Sequence, residues 1–231
     1  MKTNQKIKGA LIGTLLAAAL TVPMVASAIQ FQVKMTGTGS YAGAYDSGVQ
    51  NTNAIAGLLS GSGGDFAFDL SSNNSPGSSA IGSYIDSVWN ANSSGGTGTV
   101  TVWASATDYT TPGAGIYNLF SSIGGTNLNS NIAVTSADAW TDNSNALFGT
   151  SGASTSQGPF SSAGAFAEDV ASAPFLGATP FSMTQKLVFN ITGAGISTGD
   201  FLTKVPAPGP LALIGLGLLA AGALRLRKAQ G

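Results

Sequence analysis

Phe181-Ser182-Met183-Thr184-Gln185-Lys186-Leu187-Val188-Phe189-Asn190-Ile191-Thr192 is the stretch whose reading decides the fold class. Phe181, Met183, Leu187, Phe189 and Ile191 fall on one side, and Ser182, Thr184, Lys186, Asn190 and Thr192 on the other. A period of two belongs to a strand with one face on a core and one in water, whereas a helix repeats near 3.6. Gln185 interrupts the apolar side and Val188 the polar one. The same alternation recurs in Ile29/Phe31/Val33/Met35, in Phe66/Phe68/Leu70 and in Val100/Val102/Ala104. Turn-formers separate these runs, notably Ser71-Ser72-Asn73-Asn74-Ser75-Pro76-Gly77 and Ser93-Ser94-Gly95-Gly96. Tyr84-Ile85-Asp86-Ser87-Val88-Trp89 fits a short helix or a strand. The spacing predicts eight to ten strands in an all-β, antiparallel β-sandwich of jelly-roll or Ig-like kind. A solenoid would need a fixed internal period, and none is found.

Outward from this domain, both flanks read as export machinery. Lys2, Lys6 and Lys8 precede the apolar run Ala10–Leu20, and Ala26-Ser27-Ala28 follows Pro23. A basic start, a short apolar stretch and small residues at Ala26 and Ala28 make residues 1–28 a secretory signal peptide. It addresses the Sec translocon and signal peptidase, with cleavage expected after Ala28. Residues 29–203 then form the exported domain and 204–231 a tail. In the tail, Val205-Pro206-Ala207-Pro208-Gly209-Pro210 blocks helix formation, because proline lacks an amide hydrogen and pushes its predecessor toward extended geometry. Leu211 to Leu224 contains only Leu, Ile, Ala and Gly. Counted from Ala207, eighteen residues reach about 27 Å as a helix, against about 30 Å of hydrocarbon. Arg225, Arg227 and Lys228 close the run, so a transmembrane helix with a cytoplasmic basic stop is expected.

This tail resembles the PEP-CTERM sorting signal of Gram-negative, often biofilm-forming bacteria. Val205, Pro206 and Pro208 match its Val-Pro-Glu-Pro-like motif, and Leu211–Leu224 and Arg225-Leu226-Arg227 match its helix and its Arg-rich end. Ala207 stands where the family usually has Glu. The resemblance implies an exosortase substrate, held in the inner membrane before processing and then passed to the cell surface or extracellular matrix. Phe181-Ser182-Met183-Thr184-Gln185 also resembles the Ser-Leu-Thr-Gln-like stretch that opens a long strand upstream of such motifs.

Composition narrows what the domain can do. Lys34, Lys186 and Lys204 are its basic residues between 29 and 204, against all ten acids, a net charge of −7. That disfavours nucleic acid or an anionic membrane surface as a partner of the domain. There is no Cys and no His, which excludes Ser-His-Asp and Cys-His catalysis and zinc sites of imidazole or thiolate. Glu168-Asp169, the one adjacent acid pair, reads as a solvated loop, and Asp65 and Asp69 as a wet strand face. Asp138-Ala139-Trp140-Thr141-Asp142-Asn143-Ser144-Asn145 is the most oxygen-rich stretch but lacks the order of a calcium loop. Thr97, Thr99 and Thr101 line one face, as one strand of a threonine ladder would. The expectation is therefore a non-enzymatic protein without catalytic residues, metal or cofactor. Its Gly/Ser/Thr/Asn surface suits contact with extracellular polysaccharide. The alternative is a carbohydrate-binding or adhesin module whose aromatic residues, Trp89, Trp103, Trp140, Tyr41, Tyr45, Tyr84, Tyr109 and Tyr117, supply a stacking platform. Trp103 stands out, falling on the Thr99/Thr101 side.

Overall fold

The computed structural model describes residues 29–60, 66–75 and 82–206. The expected signal peptide with Ala26 and Ala28, the motif residues Ala207 and Pro208, the membrane helix and its stop at Arg225, Arg227 and Lys228 lie outside them. Among the described residues no helix is long and apolar enough to cross a membrane.

Among the described residues, fourteen strands account for the fold. They are β1 (Phe31–Gly37), β2 (Gly43–Asp46), β3 (Ala54–Ser60), β4 (Phe66–Ser75), β5 (Ser83–Ser93), β6 (Gly98–Tyr109) and β7 (Gly115–Tyr117). There follow β8 (Phe120–Asn127), β9 (Ile132–Asp142), β10 (Ser154–Gln157), β11 (Gly164–Ala171), β12 (Phe175–Gly177), β13 (Phe181–Ile191) and β14 (Gly195–Val205). Sheet 1 has the order β10-β9-β13-β6-β1-β2, sheet 2 the order β11-β8-β14-β5-β4-β3, and β12 pairs with β7 alone. Every pairing is antiparallel.

The alternation read from the sequence sets which side of each strand is dry. Phe31, Val33 and Met35 of β1, Val100, Val102 and Ala104 of β6, and Leu187, Phe189 and Ile191 of β13 are buried in sheet 1. Leu70, Ile85, Trp89, Ile123, Phe201 and Val205 meet them from sheet 2 in one continuous cluster. Two antiparallel sheets sharing one core have the coarse architecture of a β-sandwich.

Several details differ from expectation. Fourteen strands exceed the eight to ten expected, because β7, β10 and β12 are too short to show a period. With six strands each, the two sheets together also exceed the seven strands of an immunoglobulin constant domain and the eight of a jelly roll, so neither label describes the observed order. Ser71 to Ser75 continue β4 and do not turn. Ser72 and Asn74 point inward, and Ser72 Oγ is 2.8 Å from Ser87 Oγ. Tyr84–Trp89 is strand, within β5. Glu168 and Asp169 are exposed as expected but sit on the edge strand β11 instead of a loop. β14 runs on to Val205, past residue 203.

Candidate functional site: the aromatic and lysine face of sheet 1

The outer face of sheet 1 gathers Trp103 and Trp140 with Lys34, Lys186 and Asp138. Strand register places Asp46, Lys34, Trp103, Lys186, Asp138 and Ser156 in one row across six strands. Directly opposed residues on neighbouring strands lie about 4.5–5.5 Å apart at Cβ, so such a row is a set of touching neighbours. Trp140 stands on β9 one step along, opposite Thr184. It stacks on Trp103 with ring centroids 5.9 Å apart and planes at 22°. Phe148 meets Trp103 edge-on at 6.5 Å and 88°.

The cations complete the cluster. Lys186 Nζ lies 5.3 Å from the centre of the Trp103 ring, and Lys34 Nζ 4.6 Å from that of Phe148. Both distances fall within cation–π range. Lys34 also pairs with Asp46 at 3.7 Å. Hydrogen bonds from Gln32 Nε2 and the Gly48 amide, aided by Lys34, hold the Asp46 carboxyl below the usual carboxylate range. Asp138 accepts from Ser156 Oγ at 2.6 Å. Two lysines face two aspartates along the row, so it is polar without being a net cation.

Phe148 reaches this face because the β9–β10 loop folds back over the sheet. Its backbone is left-handed (φ 59°), uncommon for a bulky residue. The Phe148 amide donates to Ser105 Oγ at 2.8 Å, which fixes that geometry. Behind it Asp108 and Asn145, both left-handed, clasp each other. The Asp108 amide donates to Asn145 Oδ1 and Asn145 Nδ2 to Asp108 Oδ1, each at 2.8 Å. Sequence alone gave no signal for Phe148, since the loop carries no period.

The other candidates part company here. Of the proposed platform, Trp89, Tyr41 and Tyr109 are core residues. Tyr41 hydroxyl donates to Gly95 O at 2.7 Å, and Trp89 Nε1 donates to Ser197 Oγ at 3.2 Å. Burial, then Tyr84, pushes the Tyr109 hydroxyl well above its ordinary pKa. The oxygen-rich run does not close around a common point. Asp138 faces out toward Ser156, whereas Asp142 accepts from the Ser144 amide, Ser144 Oγ and Ser151 Oγ. Among the described residues no group of three acids could hold a metal. Thr99 and Thr101 continue into Thr36 on one side but meet Asn190 and Val188 on the other. On the outer face of sheet 2, Asp86 and Asp200 are near enough to interact. Burial, then Asp200, raises the Asp86 pKa above its ordinary value. At the end of the domain Val205 is buried opposite Ser83 and Pro206 is exposed.

The arrangement sets half-buried aromatic rings beside ammonium and carboxylate groups, with Trp140, Phe148 and Lys186 all against the Trp103 ring. No known protein family matches the chain, and no curated protein matches it either.

Proposed function

We propose that this is a non-enzymatic exported protein of the cell surface or extracellular matrix of a Gram-negative bacterium. A C-terminal tail resembling the PEP-CTERM signal would deliver it. The observation that carries the reading is where the last described strand ends. β14 lies between β8 and β5 in sheet 2, its last residue Val205 is buried, and Pro206 is already exposed. A cut at or beyond Pro206 would therefore release a domain with every described strand in place. The signal peptide 1–28, an exosortase acting at Val205-Pro206-Ala207-Pro208, and a membrane helix stopped by Arg225, Arg227 and Lys228 complete the route. The intact mass from envelope and extracellular fractions, with and without exosortase, tests it. The expected species starts at Ile29, ends near Pro206 to Pro208, and disappears without the enzyme. Retention of Arg225 to Gly231 in both backgrounds would overturn the sorting reading.

A second reading, a carbohydrate-binding or adhesin module, is favoured by the Trp103–Trp140 stack with its lysines. Because the row balances two lysines against two aspartates, the class it suits is an uncharged glycan. Retardation of the domain in gels containing neutral polysaccharide is expected to fall in Trp103→Ala and Trp140→Ala, with the circular dichroism unchanged. Equal retardation of wild type and both variants would sink it.

A further inference from the structure

Ile116 and Leu176 are 75% and 71% exposed, the most exposed large apolar side chains among the described residues. They are not scattered. Ile116 of β7 and Leu176 of β12 stand directly opposite each other in register, so they form one apolar tip. The tip is braced from behind. Tyr117 and Phe175 flank it with ring centroids 6.5 Å apart and pack against the core. Asn143 Nδ2 donates to Leu176 O at 3.0 Å, and Asn118 Nδ2 to Ser172 O at 2.7 Å. The scaffold thus holds an apolar pair outward in a fixed geometry.

The topology says which partner. β7 leads into β8 at Phe120, which pairs with Lys204 near the end of β14. β12 lies between the end of β11 and the start of β13. Val205 pairs with Ser83, whose hydroxyl donates to Thr111 O in the segment leading to β7. The other chain end arrives at the same place, since Gln30 O accepts from the Thr107 amide near the end of β6. Both ends of the domain and the apolar tip thus share one pole of the sandwich. Residues 1–28 precede one end and 207–231, with the apolar run Leu211–Leu224, follow the other. The connecting segments 110–119, 143–153 and 172–180 at this pole contain no charged residue.

We propose that the Ile116–Leu176 tip rests on the lipid bilayer while the tail is in the membrane, and so orients the domain over the Val205-Pro206 junction. The inference builds on the tail reading above. Two side chains are too few to hold a domain by themselves. Tethering beside the bilayer raises their effective concentration enough for contact, and a cut at the motif ends it.

Because the chain has no cysteine, single cysteines take a thiol-reactive, environment-sensitive probe selectively. Ile116→Cys and Leu176→Cys are made in the full-length protein, with Leu128→Cys at the opposite pole as the exposed control. Each is reconstituted into zwitterionic vesicles of phosphatidylethanolamine and phosphatidylcholine, and flotation is scored first. The expected result is co-flotation of all three, with a blue shift and several-fold less aqueous quenching at 116 and 176 than at 128. Co-flotation with equal quenching at all three sites overturns the tip contact and leaves the tail reading standing. Failure to float overturns the tail reading and the contact with it.

Discussion

Gln185 is the one polar side chain on the apolar side of the strand that decided the fold, and it ties the two sheets together. Its Oε1 accepts from Ser87 Oγ at 2.7 Å. Its Nε2 donates to Phe201 O at 2.7 Å, Thr203 Oγ1 at 2.9 Å and Ile85 O at 3.1 Å. With Gln185 1% exposed, these bonds offset its desolvation. Gln185→Leu is expected to cost about 1–3 kcal/mol in urea unfolding, because it leaves buried partners unsatisfied. Adding Ser87→Ala and Thr203→Val should restore part of that loss. A single variant as stable as wild type would deny the network its role. The break at Gln185 was visible in the sequence, but its partners lie on strands some 16 to 100 positions away, beyond any local pattern. Trp103 was legible in the same way, as an aromatic on a polar side, while Trp140 and the lysines were joined to it only by register and Phe148 only by the fold of the β9–β10 loop. Asp86 yields a prediction of pH dependence. Its carboxyl is raised, by burial first and Asp200 second, so ionisation costs folded-state stability. The protein is relatively favoured below the unfolded carboxylate pKa of about 3.9, and that advantage disappears as pH rises through the folded value. Asp86→Asn should therefore raise the melting temperature at neutral pH, by the equivalent of about 0.5 kcal/mol or less after solvent screening. The two melting curves should converge in acid, and a gain that persists there would refute this cause.

At the scale of elements, sheet 2 is built around a tryptophan lying on glycine. Leu70, Trp89, Gly199, Gly125 and Phe166 form one row across five strands. Phe166 lies 6.5 Å from Trp89 at 16°, and Phe160 stacks on Phe166 at 4.6 Å and 15°. A Cβ on Gly199 would come within 2.3 Å of Gly124 O and 2.4 Å of the Trp89 ring. Neither a backbone carbonyl nor a packed indole can retreat that far. Gly199→Ala is thus expected to cost about 1–3 kcal/mol by overpacking, read as a lower denaturant midpoint. An unchanged midpoint would mean that Trp89 has room that its stacking on Phe166 denies. Long strands such as β1, β6 and β13 were legible because alternation over seven or more residues is hard to produce otherwise. β11 was not, since seven of its eight residues are Gly, Ala, Asp, Glu or small apolar groups with no dry face to reveal.

For the whole molecule, β14 is the last of the described strands, and its pairing shows how much of the core depends on the residues up to Val205. β14 is bonded on both sides, to β8 and β5, over most of its length. Phe201, Thr203 and Val205 are each at most 1% exposed. Two chains differing by a handful of residues should therefore behave very differently. A domain starting at Ile29 and stopping after Pro206 should fold with the melting temperature of the tail-bearing protein in detergent. Stopping after Asp200 removes Phe201, Thr203 and Val205, leaves Gln185 without two of its acceptors, and strips pairing from the middle of sheet 2. That chain should lack a cooperative transition, because losses of several kcal/mol approach the whole stability of an ordinary domain, about 5–15 kcal/mol. If the shorter chain folds as well, Val205 marks no boundary, and the coincidence of fold end and Pro-rich motif loses its meaning for processing. If only the longer chain folds, an enzyme acting at the motif has a narrow target. Cuts beyond Val205 release a stable domain, and cuts a few residues earlier destroy it.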